Sequence, residues 1–130
     1  KFSVDSLREE IRLGSTMAVA LAGEQREAAL LDDLKPLAGR RSDMGGVARA
    51  ALQRIGTSDA VRALESALDS DNEGVLQNTV WHLQQIGDRA TLDLLRRLAA
   101  DAKRTPKQRE AFRQAAEKLE AKLKSARRSP

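Results

Sequence analysis

Apolar residues recur along this chain with the spacing of helices. Between Glu73 and Ile86, the residues Leu76, Thr79, Val80, Leu83 and Ile86 fall on one stripe at 100° per residue. Nearer the end, Phe112, Ala115, Ala116, Leu119 and Leu123 make a second stripe, and Leu30, Leu31, Leu34, Leu37 and Ala38 share a face closer to the start. Local signals mark where such helices begin and stop. Thr105-Pro106-Lys107-Gln108 combines an N-cap, proline at the first helical position and a glutamine at the capping-box position. Ser6-Leu7-Arg8-Glu9 has the same box spacing and predicts a short helix from near Leu7 that stops before Gly14. Met17 to Ala22 and Glu24 to Ala38 read as a helix pair separated by Gly23, with Pro36 bending or breaking the second member. Gly39 and the stretch from Arg40 to Gly46 read as a loop, with Gly45-Gly46 a flexible part of it.

The pattern repeats. Val47-Ala48-Arg49-Ala50-Ala51-Leu52-Gln53-Arg54-Ile55-Gly56 recurs as Asn78-Thr79-Val80-Trp81-His82-Leu83-Gln84-Gln85-Ile86-Gly87, an offset of about 31 residues. Leu52 matches Leu83, Ile55 matches Ile86 and Gly56 matches Gly87; beyond the glycine, Val61 matches Leu92, Leu64 matches Leu95 and Ala67 matches Leu98. A helix-turn-helix unit therefore occurs twice. Each glycine is expected to close its helix in the left-handed conformation, with Ser58 and Asp88 as N-caps of the helices that follow.

Over residues 46–101 this pattern resembles the short HEAT-like repeats of the phycobilisome-lyase type, in which an Ala-rich helix ends in Leu-x-x-Ile-Gly and a Leu-rich helix follows. The resemblance implies an all-α fold, a right-handed α-solenoid of antiparallel helix pairs related to the armadillo-type superhelix, with terminal capping helices. It implies a protein-binding scaffold or adaptor within a larger polypeptide or complex, and not lyase chemistry. The expected organisation is one HEAT-like helical-repeat domain over 1–130, with a cap helix at 1–14, a degenerate repeat at 15–42, repeats at 46–70 and 73–101, and a capping helix at 105–126.

Composition narrows the options. Apolar residues make up 41% of the chain, chiefly Leu and Ala, charged residues 32%, and there are three prolines. Phe2, Trp81 and Phe112 are the aromatics, too few for a sheet held by aromatic and β-branched pairs. Without cysteine there is no disulfide framework, thiol nucleophile or cysteine-based zinc site. No apolar run approaches the roughly 20 residues that span a bilayer, so the chain reads as soluble and without membrane insertion. It starts at Lys1 without an initiator methionine and ends at Pro130, as expected of an excised domain or a processed product.

Charge is unevenly placed: residues 1–100 carry about −2 and residues 101–130 about +6. Lys107, Arg113, Lys118, Lys122 and Lys124, with Lys103, Arg104, Arg109, Arg127 and Arg128, form a candidate anion-binding face for a basic helical module that docks on nucleic acid. Glu110, Glu117 and Glu120 interrupt that run, and no aromatic alternates with it as a base-stacking platform requires.

Trp81 is the foremost candidate for contact with a partner. It lies roughly 160° from Leu83 on its helix, beside Gln77, Gln84 and Gln85. Two roles stay open: an interface anchor, or packing against a neighbouring repeat or the N-terminal helix. In HEAT-like stacks the exposed positions of second helices usually line the concave side, so by repeat matching Arg62, Glu65, Ser66 and Asp69 are expected beside Asp93, Arg96, Arg97 and Ala100 as a strip of mixed sign. The partner implied is another protein or another domain of the parent chain, which would leave an intramolecular structural or regulatory spacer as a third reading. His82 lacks the companions of a metal ligand. The carboxylate pairs Glu9 with Glu10, Asp32 with Asp33 and Asp69 with Asp71 read as solvated charges, and no nucleotide, hydrolase or metalloprotease motif occurs. No enzyme activity, cofactor or metal is expected.

Overall fold

The computed structural model of the chain describes residues 1–128; Ser129, Pro130 and the side chain of Arg128, the last of the cationic run, lie outside the described residues. Eight α-helices follow one another among them: α1 (Val4–Arg12), α2 (Thr16–Glu24), α3 (Leu31–Leu34), α4 (Asp43–Ile55), α5 (Ser58–Glu65), α6 (Glu73–Ile86), α7 (Arg89–Ala99) and α8 (Pro106–Arg128). Short 3₁₀ turns occupy Ala28–Leu30, Lys35–Leu37 and Ser66–Asp69. Pro36 sits in the second of these, where α3 stops after one turn. In an α-solenoid a helix pair cannot cover its own apolar face and leaves that to its neighbours. Here α2, α4, α6 and α8 pack in succession as one layer, and α1, α3, α5 and α7 back it, α7 chiefly against α8.

The internal repeat survives in three dimensions. Leu52 and Leu83 are both fully buried, as are the pairs Val61 with Leu92 and Leu64 with Leu95. Ile55 and Ala67 are buried, while their counterparts Ile86 and Leu98 are partly buried at the edge of the core. From α8, Phe112, Ala115, Ala116 and Leu119 enter the same core, and Leu123 packs at its margin.

Helix ends follow local hydrogen-bond accounting, and several differ from the sequence expectation. Thr105 and Gln108 form the expected reciprocal box, with Gln108 N donating to Thr105 Oγ1 at 3.1 Å and Thr105 N to Gln108 Oε1 at 3.2 Å. Asp88 caps α7 as expected, in a box completed by Thr91. Ser6 does not cap α1: Ser3 does, accepting from Ser6 N at 3.1 Å, so the helix begins three residues before Leu7. Ser58 likewise yields to Thr57, whose hydroxyl accepts from Ala60 N. In both cases another hydroxyl residue upstream satisfies the orphan donor of the first turn.

The glycines serve unequal ends. Gly56 closes α4 at φ 65°, in the left-handed region, but Gly87 closes α6 at φ −61° and ψ 154°. What Gly87 supplies is room, since a Cβ there would stand 2.8 Å from Leu119 Cδ2 of α8. Gly23 is no breaker between helices: it lies inside α2, where a Cβ would fall 2.7 Å from Ala51 Cα. The chain turns instead at Arg26, which takes φ 53° while Arg26 N donates to Gly23 O and Glu27 N to Ala22 O, the hydrogen bonds of a Schellman ending. Gly45 and Gly46 also belong to a helix, α4, and not to a loop.

These placements predict opposite outcomes for two glycine-to-alanine changes in helix interiors. Gly23→Ala should cost about 1–3 kcal/mol, because its methyl meets the Ala51 backbone and α2 must move off α4. Gly46→Ala, whose nearest neighbour would be the Arg49 guanidinium at 3.9 Å, should gain up to about 1 kcal/mol. Urea unfolding of the two variants checks both signs.

Candidate partner-binding surface

The α4–α6 seam carries the polar groups that orient the outer face of α6. Arg49 is only 5% exposed, and its guanidinium donates to Asn78 Oδ1 on α6 at 2.5 Å, to Ala38 O at 2.7 Å and to Arg40 O at 3.0 Å. Burial lowers its pKa, yet a guanidinium stays charged in proteins. One turn further on, the His82 imidazole donates through Nδ1 to Gln53 Oε1. Loss of solvent, and then the nearby Arg49 charge, lower the His82 pKa to about 4, so the ring is neutral near pH 7. Sequence reading missed Arg49, though a signal existed: at the repeat offset it occupies the place of Val80, a core-stripe residue.

Trp81 rests on this seam with its ring edge-on to His82, centroids 5.0 Å apart, and is 54% exposed. Packing against a neighbouring repeat or the N-terminal helix therefore does not bury it. Gln77 and Gln85 beside it are exposed and Gln84 is half-buried. The fold thus presents a large apolar ring ringed by amides, on the layer formed by α2, α4, α6 and α8.

The expected strip on the second helices divides. Arg62 and Glu65 are half-buried and bind across to the next unit: Arg62 Nη2 donates to Asp88 Oδ2 at 2.5 Å, and Thr91 Oγ1 donates to Glu65 Oε2 at 2.7 Å. Partial burial pushes the Asp88 carboxyl up, but hydrogen bonds from Arg62 and Thr91 and the Arg62 charge outweigh it, leaving the pKa lowered. These two residues join repeats instead of facing water freely. Ser66 turns its hydroxyl back to Ala63 O, and Asp69 is exposed. Asp93, Arg96 and Arg97 are exposed, with Asp93 3.6 Å from Arg89 and Arg96 paired to Glu120 of α8.

The candidate anion-binding residues are all exposed, but most are already engaged. Lys107 pairs with Glu73 at 3.2 Å, Arg113 with Glu110 and Glu117, and Lys124 approaches Glu120 at 4.0 Å, while Lys122 donates to Gln85 O. Lys118 alone of the five has no such acceptor among the described residues. Arg104 and Arg109 also point inward, Arg104 to Leu68 O and over the Phe112 ring, Arg109 to Arg104 O. Of the carboxylate pairs, Asp33 holds Arg8 at 3.1 Å and Arg12 at 3.5 Å, tying α1 to α3. Among the described residues no three His, Asp or Glu side chains cluster to hold a metal ion, and no helix is long and apolar enough to cross a membrane.

Comparison with known protein families matches residues 44–118 to HEAT repeats, more than half of the chain, and the chain belongs to that family. The match is to HEAT repeats at large and does not single out the phycobilisome-lyase type. No curated protein and no solved structure matches at a significant level. HEAT repeats generally act as scaffolds for protein interactions.

The His82 environment makes stability depend on pH. An unfolded imidazole binds its proton near pH 6.5 and the folded one near pH 4, so between these values the unfolded state holds more protons. Stability from this group is full above pH 6.5 and falls on acidification toward pH 4, by about 2 kcal/mol once solvent near the ring is allowed for. Urea midpoints across that window should slope less in His82→Asn than in the parent chain, and the His82 Cε1 proton resonance should stay at its neutral position until about pH 4.

Proposed function

We propose that the chain is a protein-interaction scaffold whose working face is the outer surface of α6 around Trp81, within a larger polypeptide or complex. The observation that carries this reading is a tryptophan left 54% exposed by a stack that buries Val75, Leu76, Val80 and Leu83 of the same helix. Burying the rest of such a ring against a partner returns apolar area that folding has not used, and tryptophan is enriched among residues that dominate binding energy. Gln77 and Gln85 flank it with donors and acceptors for a polar rim. Arg96 and Arg97, exposed on the opposite layer, form a second and smaller candidate contact. The scaffold reading is also the general use of this family. A nucleic-acid role through α8 has less support, because four of its five proposed cations already have acceptors within the chain.

Trp81→Ala should weaken partner binding about 30-fold or more, the loss expected of a hot-spot residue of ~2 kcal/mol. Its unfolding free energy should change by less than about 1 kcal/mol, since over half of the ring is already in water. Affinity purification with the parent chain, with Trp81→Ala and with Arg96→Glu/Arg97→Glu, followed by melting of each, separates the two faces. Retention of every partner by Trp81→Ala, or a large fall in its melting temperature, would remove the basis for this reading.

A further inference from the structure

Two of the three seams between successive helices of the main layer, α4–α6 and α6–α8, can be compared position by position, and they are filled differently. Asn72 and Thr105 are the N-caps of α6 and α8, each accepting from the backbone three residues on, so the two helices can be compared position by position from their caps. Counted from the caps, Ala111 and Ala115 of α8 stand where Asn78 and His82 stand on α6. Across the partner side, Val80 and Gln84 of α6 stand where Arg49 and Gln53 stand on α4. The α4–α6 seam is thus closed by Arg49 with Asn78 and by Gln53 with His82. The α6–α8 seam has valine and two alanines in three of those places, and Gln84 finds no counterpart.

The consequence is a cleft of about 160 Å³ between α6 and α8, with Leu76, Val80, Ala111 and Phe112 among its walls. An apolar cavity of ~150 Å³ takes a benzene-sized ligand, so this one has room for one aliphatic or aromatic side chain. Its two ends differ in charge. At one end the Glu73–Lys107 ion pair, at 3.2 Å, is internally neutral. Toward the other stand Gln77, Gln84 and Lys118, whose side chains have no hydrogen-bond or ionic partner among the described residues. An apolar slot beside unpaired amides and a single unpaired ammonium is complementary to an apolar side chain beside a carboxylate, on a main chain that can use the amides. A single free cation is too little for a phosphate backbone, which is bound by several.

We propose that the α6–α8 cleft docks an extended segment of a partner protein carrying an aliphatic residue next to an acidic one. This rests on the scaffold reading and adds to it a place and a chemistry: the aliphatic side chain enters between Val80 and Ala111, and the carboxylate meets Lys118. The incoming residue supplies from outside the filling that Arg49 and Asn78 supply from within the preceding seam.

The test is an amide-resolved NMR titration of the whole chain with three short glycine–serine peptides centred on Leu-Glu, Leu-Gln and Leu-Lys, at low salt. Shifts are expected at Val80, Gln84, Ala111 and Lys118, with Leu-Glu bound roughly fivefold more tightly than Leu-Lys, the size of one exposed ion pair. Lys118→Glu should reverse that order, and Ala111→Met should fill the cleft and abolish the shifts. Lys118 is exposed, so its variant tests the idea even if the Ala111 variant does not fold. An unchanged peptide order in Lys118→Glu, or no shift at the cleft at millimolar peptide, would overturn the proposal. Shifts confined to the Trp81 indole would also overturn it while leaving the scaffold reading in place.

Discussion

The guanidinium of Arg49 sits where three parts of the chain meet, and it decides how they fit. Two of its acceptors, Ala38 O and Arg40 O, lie just beyond the Lys35–Leu37 turn, and the third is Asn78 on α6. A buried charge is tolerable only while such partners stay in reach; losing one hydrogen bond to a charged group costs about 1.5–3 kcal/mol. Leucine contacts are non-directional and would accept α6 displaced along α4 with little penalty. The leucines therefore drive the stack together, and Arg49 selects the register in which they meet.

Spacing comes from a different set of residues. The approach of α2 to α4 at Gly23 and Ala51 is closer than side chains with a Cβ on both helices allow, and Ala22, Ala48 and Ala51 are all buried in that region. At that crossing the backbones leave no room for a side chain between them, and a cleft opens only beside it, lined by Ala20 and Glu24 of α2 and by Val47, Ala50 and Arg54 of α4. Between α4 and α6 the gap is wider and polar side chains bridge it. Between α6 and α8 neither device operates, and a cleft remains. One packing rule, that each helix pair relies on the next to cover its apolar face, so gives three different seams according to the residues offered to it.

Residues with a periodic role were legible from sequence, and residues with a positional role were not. Leu52, Leu83, Leu64 and Leu95 announce themselves by spacing and by recurrence, and the family match rests on the same pattern. Asp88 and Thr105 were readable as caps because a cap acts on residues two or three positions away. Ser6 and Ser58 misled because a second hydroxyl lay just upstream, and local sequence does not rank two competent caps. Gly23 was misread for a deeper reason. A glycine that breaks a helix and a glycine that lets another helix approach look alike until the neighbour is placed, and the neighbour here, Ala51, is distant in sequence. Gly87 shows the same ambiguity, since its crowding comes partly from Leu119. Arg49 hid behind the ordinary assumption that arginine faces water. For the candidate surface, the outward direction of Trp81 was readable from helical geometry, whereas the engagement of Arg62, Glu65 and most of the α8 cations depends on residues of other helices.

The two repeats agree in which positions they bury, and they differ sharply at one position that faces outward. At the repeat offset Ala51 and His82 are both buried, as are Leu52 and Leu83, but the adjacent outer position holds Ala50 in one unit and Trp81 in the other. A helix turned by one neighbour's packing must present its outer residues at fixed angles, so the fold determines the direction of that position and leaves its identity free. An alanine there is silent. A tryptophan costs the stack little, because it displaces nothing from the interior, and it places a large apolar surface on a rigid, seam-locked helix whose ordering cost was met on folding. Recognition can in this way be written onto one repeat without disturbing the positions that both bury, and this freedom is what supports the proposed role of the exposed aromatic on α6.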